Sequence, residues 1–337
     1  MSKSPSFTLT APGSNVQRRL RSSRIFSAVC AVATYSGLGI LAILIGTVVW
    51  TAMHRLDWTY ITNVDSAFAD RAGILAGLWG SFWLISLTAV LAIPIGVGSA
   101  VYLEEYAGPG RLTQIIKVNL SNLAGVPSIV YGMLGLTVFV RMFDLFATAS
   151  RGTTVIKLLG FIQIPIPLGK TVLAGSLTMT LVILPVVIIA AQESLRAVPG
   201  TIRAASFALG ATRWQTVWHQ VVPAALPGIV TGVILSISRA IGETAPLIMV
   251  GAVTVARFCP GGVDSPMDLI RNPALIFAAP VDRFSAMPIE IFYWAKLPGD
   301  DFKPVAAAGI VVLLVVLLCF NGLAIYVRQR ARKKIMW

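Results

Sequence analysis

Two oppositely charged residues stand four positions apart in the middle of a long uncharged stretch. They are Arg239 and Glu243, within the segment IVTGVILSISRAIGETAPLIMVGA. An arginine at the centre of a membrane helix costs about 2.5–3.5 kcal/mol on insertion scales, so such a residue usually faces a polar path or a partner. Because positions i and i+4 share one helix face, the two side chains are expected to lie side by side.

The pair has two interpretations. The two charges can simply neutralise each other, or they can line a path for a charged solute. Apolar residues would fill the same space without a desolvation cost, so a buried ion pair is a weak source of stability. A guanidinium group is well suited to phosphate oxygens, and a carboxylate one turn away would keep it from trapping the anion. The predicted translocation path therefore contains Arg239, Glu243, Thr244, Ser236 and Ser238.

The composition is that of a polytopic membrane protein. Hydrophobic residues make up 56% of the chain and charged residues only 12%, against about 25% charged in soluble proteins. Six apolar runs reach the ~20 residues that cross a bilayer. The predicted fold is all-α, with spans at 25–53, 73–103, 118–140, 171–192, 226–253 and 304–327 in a membrane domain covering 25–327.

The net charge of +13 reflects membrane topology. The bases lie mainly at helix ends, and no basic tract is interleaved with aromatic residues, which argues against nucleic-acid binding. Basic residues are concentrated in an N-terminal tail, 1–24, and a C-terminal tail, 328–337. Bases flank the cytoplasmic ends of membrane helices, so both termini are predicted to be cytoplasmic.

Catalytic and metal-binding patterns are missing from the sequence. The cysteines are far apart and have no metal-ligand spacing, so no metal site is predicted. The two histidines, His54 and His219, form no H-E-x-x-H motif, and no paired aspartates lie in the spans. No G-x-x-x-x-G-K-[ST] loop is present either. The chain is therefore expected to be neither an intramembrane enzyme nor an ATPase.

The loop 193–223, on the predicted cytoplasmic face, has the features of a docking site. It contains an alanine-rich helix candidate, Thr201 to Leu209, bounded by proline and glycine, and a second amphipathic segment that is expected to end at Pro223. Small residues allow another protein to approach closely, with arginines at the rim. The predicted contact set is Arg196, Arg203, Ala204, Ala205, Ser206, Gly210, Ala211, Arg213 and Pro223.

This loop resembles the EAA loop of ABC-importer permeases, which docks on the ATPase subunit. Ala205 and Ser206 match its small positions, Gly210 its glycine and Pro223 its closing proline, whereas Ala204 occupies the acidic position. The chain more specifically resembles PstA-type permeases of the phosphate ABC importer. That resemblance is carried by RAIGETAPL at 239–247, LPVV at 184–187 and FSAMPIEIFYWA at 284–295.

The resemblance implies a type I ABC-importer permease fold in the bacterial cytoplasmic (inner) membrane. It also implies a homologous PstC-type permease, two PstB-type ATPase subunits that use ATP and Mg, and an extracytoplasmic phosphate-binding protein. The expected function is import of inorganic phosphate through the lipid bilayer. The alternatives are a permease for sulfate, molybdate or phosphonate, and a passive anion channel.

Overall fold

The computed structural model describes residues 14–142, 154–158, 162–166, 169–252, 258–262 and 279–333. Its contacts divide the chain into two units, Met1–Trp50 and Thr51–Trp337. The first unit is dominated by the long helix α1, Ser14–Ala52, whose part from Arg18 is apolar and long enough to cross a membrane. The helix therefore starts inside the predicted tail 1–24, of which residues 1–13 lie outside the described part.

The second unit is built almost entirely from helices. Apolar runs bounded by caps form the long ones. The α-helices are α2 Trp58–Thr62, α3 Leu75–Val101, α4 Arg111–Ala124, α5 Ser128–Gly135, α6 Val172–Arg196, α7 Gly200–Ala208, α8 Arg213–Thr216, α9 Val222–Gly242, α10 Ala245–Val250, α11 Met287–Lys296 and α12 Phe302–Lys333. Among the residues that the structure describes, three π-helical segments extend them, Tyr102–Tyr106 after α3, Leu136–Met142 after α5 and Val217–Val221 before α9.

In the described part of the chain, one short antiparallel hairpin accompanies the helices. Its strands are β1, Thr154–Leu158, and β2, Ile162–Ile166, with Thr154 opposite Ile166. It falls between the third and fourth predicted spans. The all-α prediction is confirmed for the membrane part, and the hairpin is an addition that the sequence analysis did not foresee.

Helix α6 is the centre of the second unit and packs against α3 and α9. In the most apolar stretch of 18 residues of α6, 67% is buried inside the protein, whereas the corresponding share in α12 is 6%. Small residues make this packing close. A Cβ atom on Gly96 of α3 would lie 2.6 Å from Val187 Cγ1, and one on Gly232 of α9 would overlap the Cβ atom of Ala190. Small side chains at crossings let membrane helices approach each other.

Within the described residues, five helices are long and apolar enough to span a membrane, and a bent pair makes a sixth if its two halves are one broken span. That pair stands where a single span, 118–140, was predicted. Its halves, Arg111–Ala124 and Ser128–Arg141, meet at 103°. Gly125 caps the first half, and Pro127 restricts the backbone of the residue before it and has no amide hydrogen, so a continuous helix is disfavoured there.

The fifth span also differs from its predicted limits of 226–253. The spanning helix runs from Arg213 to Gly242, and α10 follows after a break at Glu243 and Thr244. Pro223 therefore does not end the preceding segment as expected. It is the second residue of α9 and directly follows the π-helical turn Val217–Val221, which joins α8 to α9. The helix therefore continues through a residue that has no amide hydrogen to donate.

Candidate functional site

Arg239 and Glu243 contact each other where α9 ends. Arg239 Nε donates a hydrogen bond to Glu243 Oε1 at 3.1 Å. The side chain of Arg239 is 58% exposed in this chain, whereas that of Glu243 is 18% exposed. Arg239 forms no further hydrogen bond within the described residues, so the two terminal nitrogens of its guanidinium are available to a ligand or to another subunit.

Glu243 also connects two helix breaks. Its second carboxylate oxygen accepts a hydrogen bond from Ser128 Oγ at 3.0 Å. Ser128 is the first residue of α5, directly after the break between α4 and α5, and Glu243 is the first residue after α9. We name the group Ser128, Arg239 and Glu243 the junction. It lies where two interrupted helices meet.

Backbone packing holds the two breaks together. A Cβ atom on Gly132 of α5 would lie 2.6 Å from Pro246 Cα at the start of α10. Only glycine allows this approach without a backbone shift. The short segments α5 and α10 therefore form a close pair, with the junction at one end of it.

The three hydroxyl residues of the predicted path differ in their surroundings. Ser236 is buried and donates to Gly232 O at 2.8 Å. The Ser238 hydroxyl lies within hydrogen-bond distance of two acceptors, Ile234 O at 2.8 Å and Asn321 Oδ1 of α12, and donates its single hydrogen to one of them at a time. Thr244 lies in the break beside Glu243, and its hydroxyl does not cap α10. The junction thus contains Arg239 and Glu243, with Thr244 next to it, while both serines are bonded within helix packing.

Ser128 was missed by the sequence analysis. It lies in the segment GVPSIVYG, which reads as part of one apolar span. The signal that would have found it is the pair Gly125 and Pro127, because a glycine followed closely by a proline favours a break in a membrane segment. Polar residues at such breaks replace the lost backbone hydrogen bonds.

The loop 193–223 carries the exposed helix α7, in which no residue is buried. Ala204 and Ala205 are exposed on it, and Leu209 after it is 89% exposed. Gly210 has a positive φ of 81° that reverses the chain, and Thr212 then caps α8 in a reciprocal bond pair with Gln215. The loop therefore presents small and apolar side chains on its outer surface.

The arginines of this loop are engaged inside the chain. Arg203 donates to Glu105 Oε1 at 2.6 Å and to the carbonyl oxygens of Val198 and Leu195. Arg196 bonds Glu104 at 2.9 Å. Both acids lie in the π-helical end of the helix that begins with α3, so the two arginines attach the loop to its own subunit.

Two further residues of the loop also contact side chains of this subunit. Arg213 lies over the ring of Tyr106, with its Cζ atom 5.6 Å from the ring centroid. Ser206 Oγ and Thr216 Oγ1 share a hydrogen bond of 2.9 Å, which joins α7 to α8. Ala211 is half-buried and Pro223 belongs to α9. The acidic partners of the loop arginines in the π-helical turn after α3 were not among the predicted site residues.

Comparisons with known proteins assign the family. The family model for "Binding-protein-dependent transport system inner membrane component" matches residues 92–333. The chain is 31% identical over 304 residues to "Probable ABC transporter permease protein YqgI" of Bacillus subtilis, covering 88% of this chain and 92% of that protein. It is 38% identical over 205 residues to "Phosphate transport system permease protein PstA 1" of Mycobacterium tuberculosis, covering 60% of this chain and 59% of that protein.

A solved structure shares the fold. The bacterial alginate ABC transporter, in complex with its alginate-bound periplasmic protein, superposes with a TM-score of 0.56 over 93% of this chain and 96% of that chain at 11% identity. The predicted resemblance to PstA-type permeases is confirmed by relatives bearing that name. The chain therefore belongs to the family of binding-protein-dependent transport system inner membrane components, and it is the permease subunit of an ABC importer.

Proposed function

We propose that this permease carries inorganic phosphate across the bacterial cytoplasmic membrane and that the junction is part of its translocation path. The observation that carries the proposal is the state of Arg239. Its guanidinium is more than half exposed in this subunit although it belongs to an apolar spanning helix. Because lipid does not accommodate such a group cheaply, the exposed side faces a water-filled path or a partner subunit.

The free edge of the guanidinium is suited to an oxyanion. Its Nε is bonded to Glu243, and its terminal nitrogens make no hydrogen bond within the described part of the chain. A planar pair of N–H donors can bind two phosphate oxygens at once. Ser128 follows the break between α4 and α5, and Thr244 lies in the break between α9 and α10. The two breaks meet at the junction, so these hydroxyls supply neutral hydrogen-bonding groups near the bound anion.

Glu243 keeps the site from binding too tightly. Its carboxylate neutralises part of the Arg239 charge at 3.1 Å and repels an anion. It is held from the other side by Ser128 of α5. A shift of α5 against α10 would therefore change how strongly Arg239 is neutralised, and transport requires that affinity differ between two states.

The helix α7 is the proposed contact with the ATPase. Its exposed Ala204 and Ala205, together with Leu209, offer a close-fitting apolar surface. Arg203 ties this helix to Glu105 at the end of α3. Since α3 packs against α6 and α6 against α9, movement of α7 reaches the helix that carries Arg239.

The proposed assembly contains this chain and a homologous PstC-type permease, with two PstB-type ATPase subunits that hydrolyse ATP with Mg. An extracytoplasmic phosphate-binding protein delivers the anion. Both termini lie in the cytoplasm, in line with the bases at the end of α12 and their preference for that side of the membrane. The phosphate assignment is supported by the name of the mycobacterial relative and by the chemistry of Arg239.

Transport in a reconstituted assembly tests the proposal. The four membrane and ATPase subunits are placed in vesicles with the binding protein, and ATP-dependent uptake of labelled phosphate is measured for the wild type, R239K and R239A. We expect both variants to assemble, R239K to retain a small part of the uptake and R239A to lose it. Sulfate, molybdate and phosphonate are added as competitors. Full uptake by R239A refutes the role of Arg239. Displacement of phosphate by another oxyanion refutes the substrate assignment. Uptake without ATP indicates a passive channel.

A further inference from the structure

Glu290, which does not belong to the junction, is a buried acidic residue. It belongs to α11 and is 0% exposed, and neither carboxylate oxygen makes a well-aligned hydrogen bond with a described residue, although the Ser285 hydroxyl and the Gly77 amide lie near it. No arginine or lysine of the described part forms an ion pair with it. An ionised carboxylate without a partner is very costly to bury, so this carboxyl group must be neutral in the folded protein.

The packing around Glu290 explains why the group is inside. Its carboxyl lies against Gly77 of α3, so closely that a Cβ atom there would overlap Oε2. Two residues of α11 form further contacts around it: the Met287 amide donates to Ser81 Oγ of α3 at 2.9 Å, and Trp294 Nε1 donates to Asp65 Oδ1 at 3.0 Å. The carboxyl group therefore lies within the interface that seats α11 on the beginning of α3.

Burial and the charge of a neighbouring acid favour the neutral form of Glu290. Burial raises the pKa of Glu290 well above 4.5, and the negative charge of Asp65 raises it further, while the nearby Ser285 hydroxyl and Gly77 amide lower it only in part. Tyr60 of α2 is the other titratable neighbour, and its hydroxyl donates to Val305 O of α12. Helix α3, which places Gly77 against the carboxyl group, has no titratable side chain.

We propose that Glu290 is a proton-operated latch: its neutral carboxyl keeps α11 seated on α3, and loss of the proton at higher external pH loosens that contact. In the proposed topology α11 precedes the last span and lies on the extracytoplasmic side, so it senses the pH outside the cell. The effect on uptake rests on the proposed function, whereas the latch itself can be measured without any substrate.

The sign of the pH effect follows from linkage. A carboxyl with a raised pKa in the folded state is protonated in both states below pH about 4.5, and its stabilising contribution is lost as pH rises towards the folded value. Between pH about 4.5 and the raised pKa of the folded state, one proton is released each time α11 separates from α3. The equilibrium constant for opening the α11 contact therefore rises about tenfold per pH unit.

Hydrogen exchange on the full-length chain in lipid nanodiscs tests this. Protection of the α11 amides, corrected for intrinsic exchange, is measured from acidic to alkaline pH for the wild type, E290Q and D300N. We expect wild-type protection to fall by up to about tenfold per pH unit and E290Q to show no such slope. Asp300 is exposed in the segment just after α11, so D300N should follow the wild type. Equal slopes in the wild type and E290Q overturn the latch.

Infrared spectroscopy of the wild type provides a test that does not depend on folding of the variant. We expect the carbonyl stretch of a protonated carboxylic acid in the apo protein at neutral pH, and its loss in alkaline buffer together with the loss of α11 protection. The absence of that band at neutral pH overturns the proposal.

In the assembled importer, ATP-driven uptake should decline with rising external pH more steeply in the wild type than in E290Q. Because exchange and infrared measurements need no transported anion, their failure is distinct from failure of the phosphate assignment.

Discussion

Ser128 and Glu243, 115 positions apart in sequence, share a hydrogen bond of 3.0 Å across two helix breaks. The other oxygen of the same carboxylate, Glu243 Oε1, accepts a hydrogen bond from Arg239 Nε at 3.1 Å. One acidic side chain therefore links the positions where α5 begins and where α9 ends. Arrangements in which helices break around polar groups at membrane depth are typical of transport sites.

Removal of the Ser128 hydroxyl should weaken transport. The S128A variant leaves one carboxylate oxygen of Glu243 without its donor, and a hydrogen bond to a charged group contributes about 1.5–3 kcal/mol. We expect phosphate uptake by the reconstituted importer to fall roughly tenfold or more. S121A is the matched control, because Ser121 Oγ donates to a carbonyl of its own helix at 3.1 Å and to no other described residue. Equal uptake by S128A and the wild type would show that the bond has no role in transport.

Neutralising Glu243 should tighten phosphate binding and slow its release. In E243Q the guanidinium of Arg239 loses its compensating charge, so a bound dianion is held more strongly. We expect a lower KM for phosphate together with a lower maximal uptake rate, measured in vesicles at saturating ATP. D300N, which changes an exposed acid, should leave both parameters unchanged. A rise in KM in E243Q would contradict the proposed role of the carboxylate.

The pair Arg203 and Glu105 should couple ATP hydrolysis to transport. Their side chains are 23% and 9% exposed and 2.6 Å apart, so removing one partner leaves a largely buried charge and costs about 3–5 kcal/mol. We expect E105A to lower the ATPase stimulation caused by loaded binding protein, and the reversed pair R203E/E105R to recover part of it. K303A provides the control, since Lys303 forms an exposed pair with Asp300. Unchanged stimulation in E105A would argue against this route.

Filling the space at Gly132 should disturb the site without touching any charge. The G132A side chain would stand 2.6 Å from a backbone atom of Pro246, so α5 and α10 must separate. We expect a lower thermal midpoint of the purified protein and reduced uptake. G98A is the matched control, because a Cβ atom added to Gly98 of α3 would have nothing within 4 Å. If G132A and G98A unfold at the same temperature, the close approach is not needed for stability.

The apolar runs predicted most of the helices because burial in lipid and the need to satisfy every backbone amide leave a long apolar segment only one regular structure. Arg239 and Glu243 were also predicted as neighbours, since a helix places residues four apart on one face. The broken span between α4 and α5 was missed, because average hydrophobicity over 118–140 hides the effect of Gly125 and Pro127. The proline pattern predicts an ending at Pro223, but the helix continues through it by way of the π-helical turn Val217–Val221, which no local pattern reveals.

The sequence alone determined the membrane class, the family and the charged pair, because these depend on composition and on local spacing. Only the tertiary structure decided that Ser128 meets Glu243, that Arg203 is held by Glu105, and that Glu290 is buried against Gly77. These contacts join segments roughly 100 to 200 positions apart. Their partners are chosen by how small residues let α3, α5, α6 and α10 approach one another, and no local pattern in the chain specifies that choice.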